Sequence, residues 1–86
     1  MNNLKQHRIK TIVKFVIATF SSPIMYLYKK PGENEFKFMK DVEKATKTLE
    51  REDAEYIIRQ YYYNTGDDID LVALPLMIEY SLIEQE

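Results

Sequence analysis

Few side chains in this 86-residue sequence have the type and spacing that chemistry requires. His7 is the one histidine, and there is no cysteine. A single histidine supplies neither a zinc site nor a Ser-His-Asp relay, so we interpret His7 as a solvated residue near the start of a strand. Ser21 and Ser22 have no base partner and belong to a turn, and two glycines are too few for a phosphate-binding loop. The sequence therefore predicts no catalytic residue, no cofactor and no enzymatic activity.

The acidic group of Asp67, Asp68 and Asp70 offers oxygen ligands of the kind that hard cations bind. Its spacing does not fit a calcium loop, because the apolar run 71–74 stands where further ligands are needed. We interpret it as an acidic connecting loop and expect no metal site. Glu79 is the other unusually placed acid, between two apolar residues of a predicted strand. It points away from the apolar row of that strand, so we expect it to be solvated.

The net charge of −2 hides an uneven division of charge along the chain. Residues 1–49 hold ten Lys or Arg and four Asp or Glu, whereas residues 50–86 hold two and ten. Three hypotheses follow: the acidic half docks on a basic surface of another protein, the basic residues bind nucleic acid, or opposite charges pair between copies of the chain. The nucleic-acid alternative rests on a short stripe without interleaved aromatic residues, namely Lys5, Arg8, Lys10 and Lys14.

An uncharged run of 14 residues, Phe15–Tyr28, follows these basic residues and has the outline of a signal peptide. However, Lys14 lies inside the region that would have to be apolar, and no small-x-small cleavage pattern follows. The run is also shorter than the roughly 20 residues of a membrane span. We therefore expect neither export nor a membrane segment. The lack of cysteine fits a reducing compartment, so the expected location is the cytoplasm.

Three strands are predicted in the first half of the chain. Ile9–Phe20 alternates with period two and is rich in β-branched residues, which is typical of a half-buried strand. A Ser-Ser-Pro break separates it from a second strand, Ile24–Lys29, and we expect the two to form a hairpin. Phe36 and Phe38, separated by a lysine, indicate a short third strand.

The main helix is predicted from Arg51 to Tyr63, with Gly66 as its left-handed C-terminal cap. Asp41 is expected to cap a separate helical turn, so that 41–63 forms two pieces rather than one bent helix. The buried face of the main helix follows the spacing i, i+3, i+4, i+7 and i+8. Its residues are Ala54, Ile57, Ile58, Tyr61 and Tyr62.

A long last strand completes the predicted fold. Its apolar residues share one parity, and they are Val72, Leu74, Leu76, Ile78, Tyr80 and Leu82. Pro75 has no backbone N–H, so the strand should be bulged at this residue or lie at a sheet edge. The order β-β-β-α-β predicts a single α+β domain over residues 1–86, an antiparallel sheet with the helix packed on one face.

Tyrosines left over after the helix core is filled suggest a binding surface. Tyr56 and Tyr63 are seven residues apart and should form an outward stripe, although packing under a loop or at the sheet edge is the alternative. Exposed tyrosines anchor protein interfaces well, because they bury a large area at low rotamer cost. The predicted partner-binding set combines them with nearby acids: Glu52, Asp53, Glu55, Tyr56, Tyr63, Asp67 and Asp68.

Two motifs carry a resemblance to a known group of proteins. One is Phe38–Ala45, which contains Asp-x-x-x-Ala, and the other is Arg51–Ile58, which contains Glu-x-Ala-Glu-x-Ile as Glu-Asp-Ala-Glu-Tyr-Ile. With the preceding aromatic hairpin, they resemble the small accessory proteins that phages and mobile elements carry in low-GC Gram-positive bacteria. Glu50 departs from the pattern, since such proteins more often have a capping Thr, Ser or Asp there. The resemblance implies no catalytic residue.

What the resemblance implies is a setting in the host bacterial cytoplasm where small proteins inhibit or redirect host machinery, including CRISPR nucleases. The expected function is therefore a non-enzymatic interaction protein that binds a bacterial protein stoichiometrically. Its most specific form is an inhibitor of a defence nuclease with a basic, nucleic-acid-binding surface. The alternatives are a small nucleic-acid-binding or regulatory accessory protein that uses the basic N-terminal strand, and a self-assembling subunit that forms a homodimer by edge pairing.

Overall fold

The computed structural model describes residues 6–84, and it has the predicted α+β architecture. One α-helix, α1, packs against a four-stranded antiparallel sheet in the strand order β3-β2-β1-β4. A short 3-10 turn precedes the helix. The elements are β1 (Gln6–Thr19), β2 (Tyr26–Lys29), β3 (Phe36–Met39), the 3-10 turn (Val42–Lys44), α1 (Arg51–Thr65) and β4 (Leu71–Glu84).

Both helical pieces form where the sequence predicts them, and α1 continues two residues past its predicted end, to Thr65. Asp41 accepts a hydrogen bond from the backbone N–H of Glu43 at 2.9 Å and so caps the 3-10 turn. An extended segment separates this turn from α1, which confirms two pieces. Gly66 ends α1 with φ of 69°, a left-handed conformation that costs glycine little because it has no Cβ. At the other end, Glu50 makes no side-chain capping hydrogen bond.

β1 and β2 separate after a single pair, Ala18 with Tyr26. The chain between the 3-10 turn and α1 fills the gap that they leave. Thr46 donates its backbone N–H to a β2 carbonyl at 3.1 Å, and Thr48 exchanges two backbone hydrogen bonds with Phe15 of β1 at 2.8 and 2.9 Å. This segment therefore bridges the two strands and closes the outer edge of β1 at Phe15.

The core lies between α1 and one face of the sheet, called here the helix face. Ile17 of β1 and Leu27 of β2 are the largest side chains that are fully buried. The predicted inner side of α1 is confirmed, because Ala54, Ile58 and Tyr61 are buried and Ile57 and Tyr62 pack against them. Partly buried residues that surround this cluster include Phe15, Phe36, Phe38, Ile69 and Leu71.

The apolar row of β4 lies on the other side of the sheet, called here the open face. Ala73 is the β4 residue in the core, and it pairs with Ile17. Because side chains alternate between faces, Leu74 and Tyr80 point away from the helix, and both are exposed. The strand is thus placed as predicted, but its most regular apolar pattern does not face α1. Glu79 is exposed on the side opposite this row, as predicted.

β1 and β4 extend well past the rest of the fold as a two-stranded ribbon. They pair continuously from Gln6–Glu84 to Thr19–Leu71, whereas β2 reaches β1 only at its far end. The ribbon is defined here as residues 6–14 of β1 with 76–84 of β4. The radius of gyration is 17.2 Å, against about 12 Å for a compact domain of this length, and the longest dimension is 64 Å. No helix in the described residues has the length and apolar character needed to cross a membrane.

Candidate functional site

The outer side of α1 carries an unbroken stripe of exposed side chains. At 100° per residue, Glu52, Tyr56, Arg59 and Tyr63 fall on the side of the helix that faces away from the core. The side chain of Tyr56 is 55% exposed and that of Tyr63 is 90% exposed. The predicted outward tyrosine stripe is therefore confirmed, and the alternative of packing under a loop or sheet edge does not apply to Tyr63.

Arg59 belongs to this stripe, although it is not among the partner-binding residues that the sequence predicts. Its guanidinium carbon lies 5.8 Å from the centre of the Tyr56 ring, within the range of a cation–π contact. The i, i+3 spacing of Tyr56 and Arg59 already indicates that the two side chains are neighbours on the helix surface. The contact restricts the tyrosine ring without burying it, which lowers the entropy that binding must remove.

Acidic side chains occupy and flank the N-terminal part of the stripe. Glu52, Asp53 and Glu55 are all exposed in the first turns of α1. Negative side chains are favourable here, because the N-terminal end of a helix carries a partial positive charge. These acids therefore stabilise the start of the helix, whether or not they also contact a partner as predicted. Stability and binding have to be measured separately.

The loop after α1 holds the other two predicted acids, and Asp67 is part of its framework. Asp67 accepts a hydrogen bond from the buried Tyr61 hydroxyl at 2.5 Å. Its second carboxylate oxygen accepts the backbone N–H groups of Asp68 at 2.8 Å and Ile69 at 3.3 Å. Asp68, by contrast, is exposed and has no such side-chain role among the contacts of the described residues.

Tyr62 fixes the same loop from the other side. Its hydroxyl donates to the carbonyl of Ile69 at 2.8 Å and accepts the backbone N–H of Leu71 at 3.1 Å. Consecutive tyrosines at the end of α1 thus hold the start of β4 against the helix. These hydrogen bonds fix the five-residue connection between α1 and β4, and Asp67 contributes to it rather than offering a free carboxylate.

The Tyr61–Asp67 hydrogen bond shifts the pKa values of both partners. Burial, together with the negative carboxylate of Asp67, raises the pKa of Tyr61 from 10.0 to about 12. The hydrogen bond from the Tyr61 hydroxyl lowers the pKa of Asp67 below its usual value. Both shifts favour a neutral phenol that donates to an ionised carboxylate.

This pair predicts a loss of stability in alkali. The pKa of Tyr61 is higher in the folded protein, so its contribution is complete below pH 10 and is lost as the pH rises toward 12. We expect the free energy of unfolding to fall by at most about 2 kcal/mol between pH 10 and pH 12 from Tyr61 alone. Urea unfolding at stepped pH measures it, with Tyr61→Phe expected to lack this component. The control Tyr63→Phe should keep the wild-type slope, and an identical slope in Tyr61→Phe would contradict the assignment.

The basic residues of the alternative hypothesis are only partly described. Lys5 lies outside the described residues, as does the side chain of His7. Arg8, Lys10 and Lys14 share the open face of β1, and Tyr80 of β4 lies directly opposite Lys10. Binding of nucleic acid by this stripe stays a prediction.

An open concavity of about 520 Å³ lies between the 3-10 turn and the ribbon. Side chains of both charge signs line it together with apolar residues of β4, and Lys47 is already occupied by the backbone carbonyls of Glu43 and Ala45 at 2.8 and 3.2 Å. In the described part of the chain, no three His, Cys, Asp or Glu side chains are grouped to hold a metal. The concavity offers no convergent set of groups for chemistry.

Helix α1 arranges the predicted site as two acidic groups with tyrosines between them. The helix has 15 residues and is about 22 Å long, so Glu52 lies near one end and Asp68 just past the other. Tyr56 and Tyr63 lie between these ends on the exposed side. Comparison with protein-family models, curated proteins and solved structures finds no match to this chain.

Proposed function

We propose that this chain is a non-enzymatic interaction protein that binds a larger bacterial protein through the outer side of α1. The surface is called here the docking face and comprises Glu52, Asp53, Glu55, Tyr56, Arg59 and Tyr63, with Asp68 at its far end. The observation that supports the proposal is the exposure of both stripe tyrosines on one side of the helix. Exposed aromatic side chains grouped on one side of a helix form the kind of surface patch that marks interaction sites.

The partner's surface should be basic with an apolar pocket. Tyrosine and arginine are the residues most often found at the energetic centre of interfaces, and here Tyr56, Arg59 and Tyr63 lie side by side. The flanking carboxylates of Glu52 and Glu55 would sit at the rim, where charge mainly sets the rate of encounter and the choice of partner. Carboxylates at the rim favour partners with a basic surface and disfavour partners with an acidic one.

A host defence nuclease is the most specific partner that we propose. Its nucleic-acid channel is basic, and carboxylates beside exposed tyrosine rings offer such a channel some features of a phosphate backbone with bases. The resemblance to phage and mobile-element accessory proteins is the second support. In this form the chain is a stoichiometric inhibitor, so its effect should saturate at one chain per nuclease.

Two variants of the docking face test the general proposal. Tyr56→Ala combined with Tyr63→Ala should weaken partner binding by about 30-fold or more, which corresponds to an interface anchor worth 2 kcal/mol. Neutralising Glu52, Asp53 and Glu55 as Gln, Asn and Gln should slow association and flatten its salt dependence. Asp67 stays unchanged in both variants, because its loss would disturb the loop.

The matched control neutralises three exposed acids elsewhere, Glu33, Glu35 and Glu43, as glutamines. It makes the same charge change, so a partner that uses the docking face should bind it like the wild type. Partners captured from low-GC Gram-positive lysates are identified by mass spectrometry and titrated by surface plasmon resonance. Binding that survives both docking-face variants would refute the proposed surface. Purified RNA-guided nucleases that cleave normally with excess chain would refute the nuclease form alone.

A further inference from the structure

Backbone N–H and C=O groups of successive β4 residues point alternately toward β1 and toward the outer edge of the sheet. The pairing of β1 shows which β4 residues point outward. Phe15 uses both its N–H and its C=O on Thr48, so these groups point away from β4. In an antiparallel pair this direction alternates along the strand, and opposite residues share it. The register Phe15–Pro75 therefore makes the odd-numbered residues of β4 present N–H and C=O groups to its outer edge. Along the ribbon these are Met77, Glu79, Ser81 and Ile83.

The outer edge of β4 is closed at its base and open at its tip. Arg51 donates to the outward carbonyl of Ala73 at 3.0 Å, and Pro75 has no N–H to present. Natural sheets protect their edges with such features, because an exposed edge recruits further strands. From Met77 to Ile83 no strand among the described residues pairs with this edge. The outer edge of β4 is therefore protected at Ala73 and Pro75 but not along the ribbon.

We propose that a second copy of this chain pairs with the open edge of β4, antiparallel, with Tyr80 on the two-fold axis. The two ribbons then form one four-stranded sheet in the order β1-β4-β4-β1. A two-stranded ribbon is marginally stable alone, whereas four strands give each β4 a partner on both sides. This inference is independent of the proposed function, since it uses β4 and the docking face lies on α1.

The side chains of β4 are self-complementary in this register. On the helix face, Met77 lies opposite Ile83 of the second copy, and Glu79 lies opposite Ser81. On the open face, Ile78 lies opposite Leu82, and the two Tyr80 rings meet at the axis. Met77, Tyr80, Leu82 and Ile83 are all exposed in the single chain, and each gains an apolar or aromatic neighbour. No carboxylate lies directly opposite another.

Two neighbouring registers of the same β4 edge are less favourable. Moving the axis to Glu79 places two carboxylates directly opposite each other, and moving it to Ile78 brings Pro75 into the ladder. Pairing two copies through the outer edge of β1 is also unfavourable when the two-fold axis lies at any of residues 9–12. The charged residues Arg8, Lys10 and Lys14 share one face there, so each register sets one positive charge opposite another. Among the pairings compared, the charge pattern favours β4.

A pair of proline variants tests the edge. In Ser81→Pro the lost N–H points outward, so the β1–β4 ladder keeps its hydrogen bonds while the dimer loses two. We expect its dimer dissociation constant to rise at least 10-fold. Thr11→Pro is the matched control, because Thr11 lies opposite Glu79 and its N–H points to the outer edge of β1. It should dimerise like the wild type, which light scattering should report as twice the 10.3 kDa chain mass.

A cysteine variant tests the register without depending on proline. The chain has no cysteine, so Tyr80→Cys introduces the single thiol. Two such residues on the axis form a non-hydrogen-bonded pair with Cα atoms about 4.5 Å apart, a distance that a disulfide spans. A mild oxidant should link Tyr80→Cys into dimers, whereas Thr11→Cys should link far more slowly. A scattering mass of one chain up to about 1 mM, or equal linking of the two variants, would overturn the proposal.

Discussion

Replacing Leu27 with alanine is expected to lower the free energy of unfolding by about 2–5 kcal/mol. The side chain is fully buried and packs with Ile17 and the inner side of α1. Removing it takes apolar atoms out of the core and leaves a cavity that a small sheet cannot close completely. A chain of this length has a total stability of only a few kcal/mol, so we expect Leu27→Ala to be largely unfolded at 37 °C.

Leu49→Ala is the matched control, because the same atoms are removed from a side chain that is 68% exposed. Its free energy of unfolding should change by less than about 0.5 kcal/mol. Urea unfolding followed by circular dichroism measures both variants. Equal effects would mean that Leu27 does not belong to the core, and the description of the helix face would then be wrong.

The second large effect is expected for Tyr61→Ala, at about 3–5 kcal/mol. The ring of Tyr61 makes edge-on contacts with Phe36 at 5.4 Å and Phe38 at 5.6 Å between ring centres. Its hydroxyl also holds Asp67, so the variant leaves a cavity and releases the loop between α1 and β4. The variant therefore loses the ring contacts with β3 and the hydrogen bond to the loop together. Aromatic pairs also add stability beyond their buried area.

Tyr63→Ala, two residues along the same helix, separates folding from binding. Its ring is 90% exposed, so we expect its free energy of unfolding to stay within about 0.5 kcal/mol of the wild type. Thermal unfolding of the two variants compares them directly. A large loss of stability in Tyr63→Ala would show that its ring packs against the protein, and the docking face would then lose its anchor.

The two proposed interfaces lie on separate elements of the fold. The docking face uses the outer side of α1, and the dimer contact uses the tip of β4. A dimer built through β4 would carry two docking faces, so a partner with two copies of the target surface would be bound with increased avidity. Ser81→Pro should remove this gain while leaving the affinity of each docking face unchanged.

The sequence by itself determined the local structure and the outward tyrosines. The hydrophobic period of α1 places five residues toward the core and so predicts an outward stripe of Tyr56 and Tyr63, whose exposure the structure then confirms. Caps at Asp41 and Gly66 were predictable because they depend on neighbouring residues alone. The α+β class follows from element order, whereas Pro75 left a bulge and an edge position as alternatives until the strand order placed β4 at the edge.

Contacts between distant segments depended on the tertiary structure. Pairing with β1 decides which side chains of β4 face the helix. It puts Ala73 in the core and turns the more apolar row of β4 toward the open face. Asp67 became a structural residue because Tyr61 reaches it across a helix end, and Arg51 closes the β4 edge 22 residues away in sequence. The length of the unsupported ribbon follows from where β2 stops. Each of these depends on strand register, which a periodic pattern leaves open because either face of a strand is able to meet the helix.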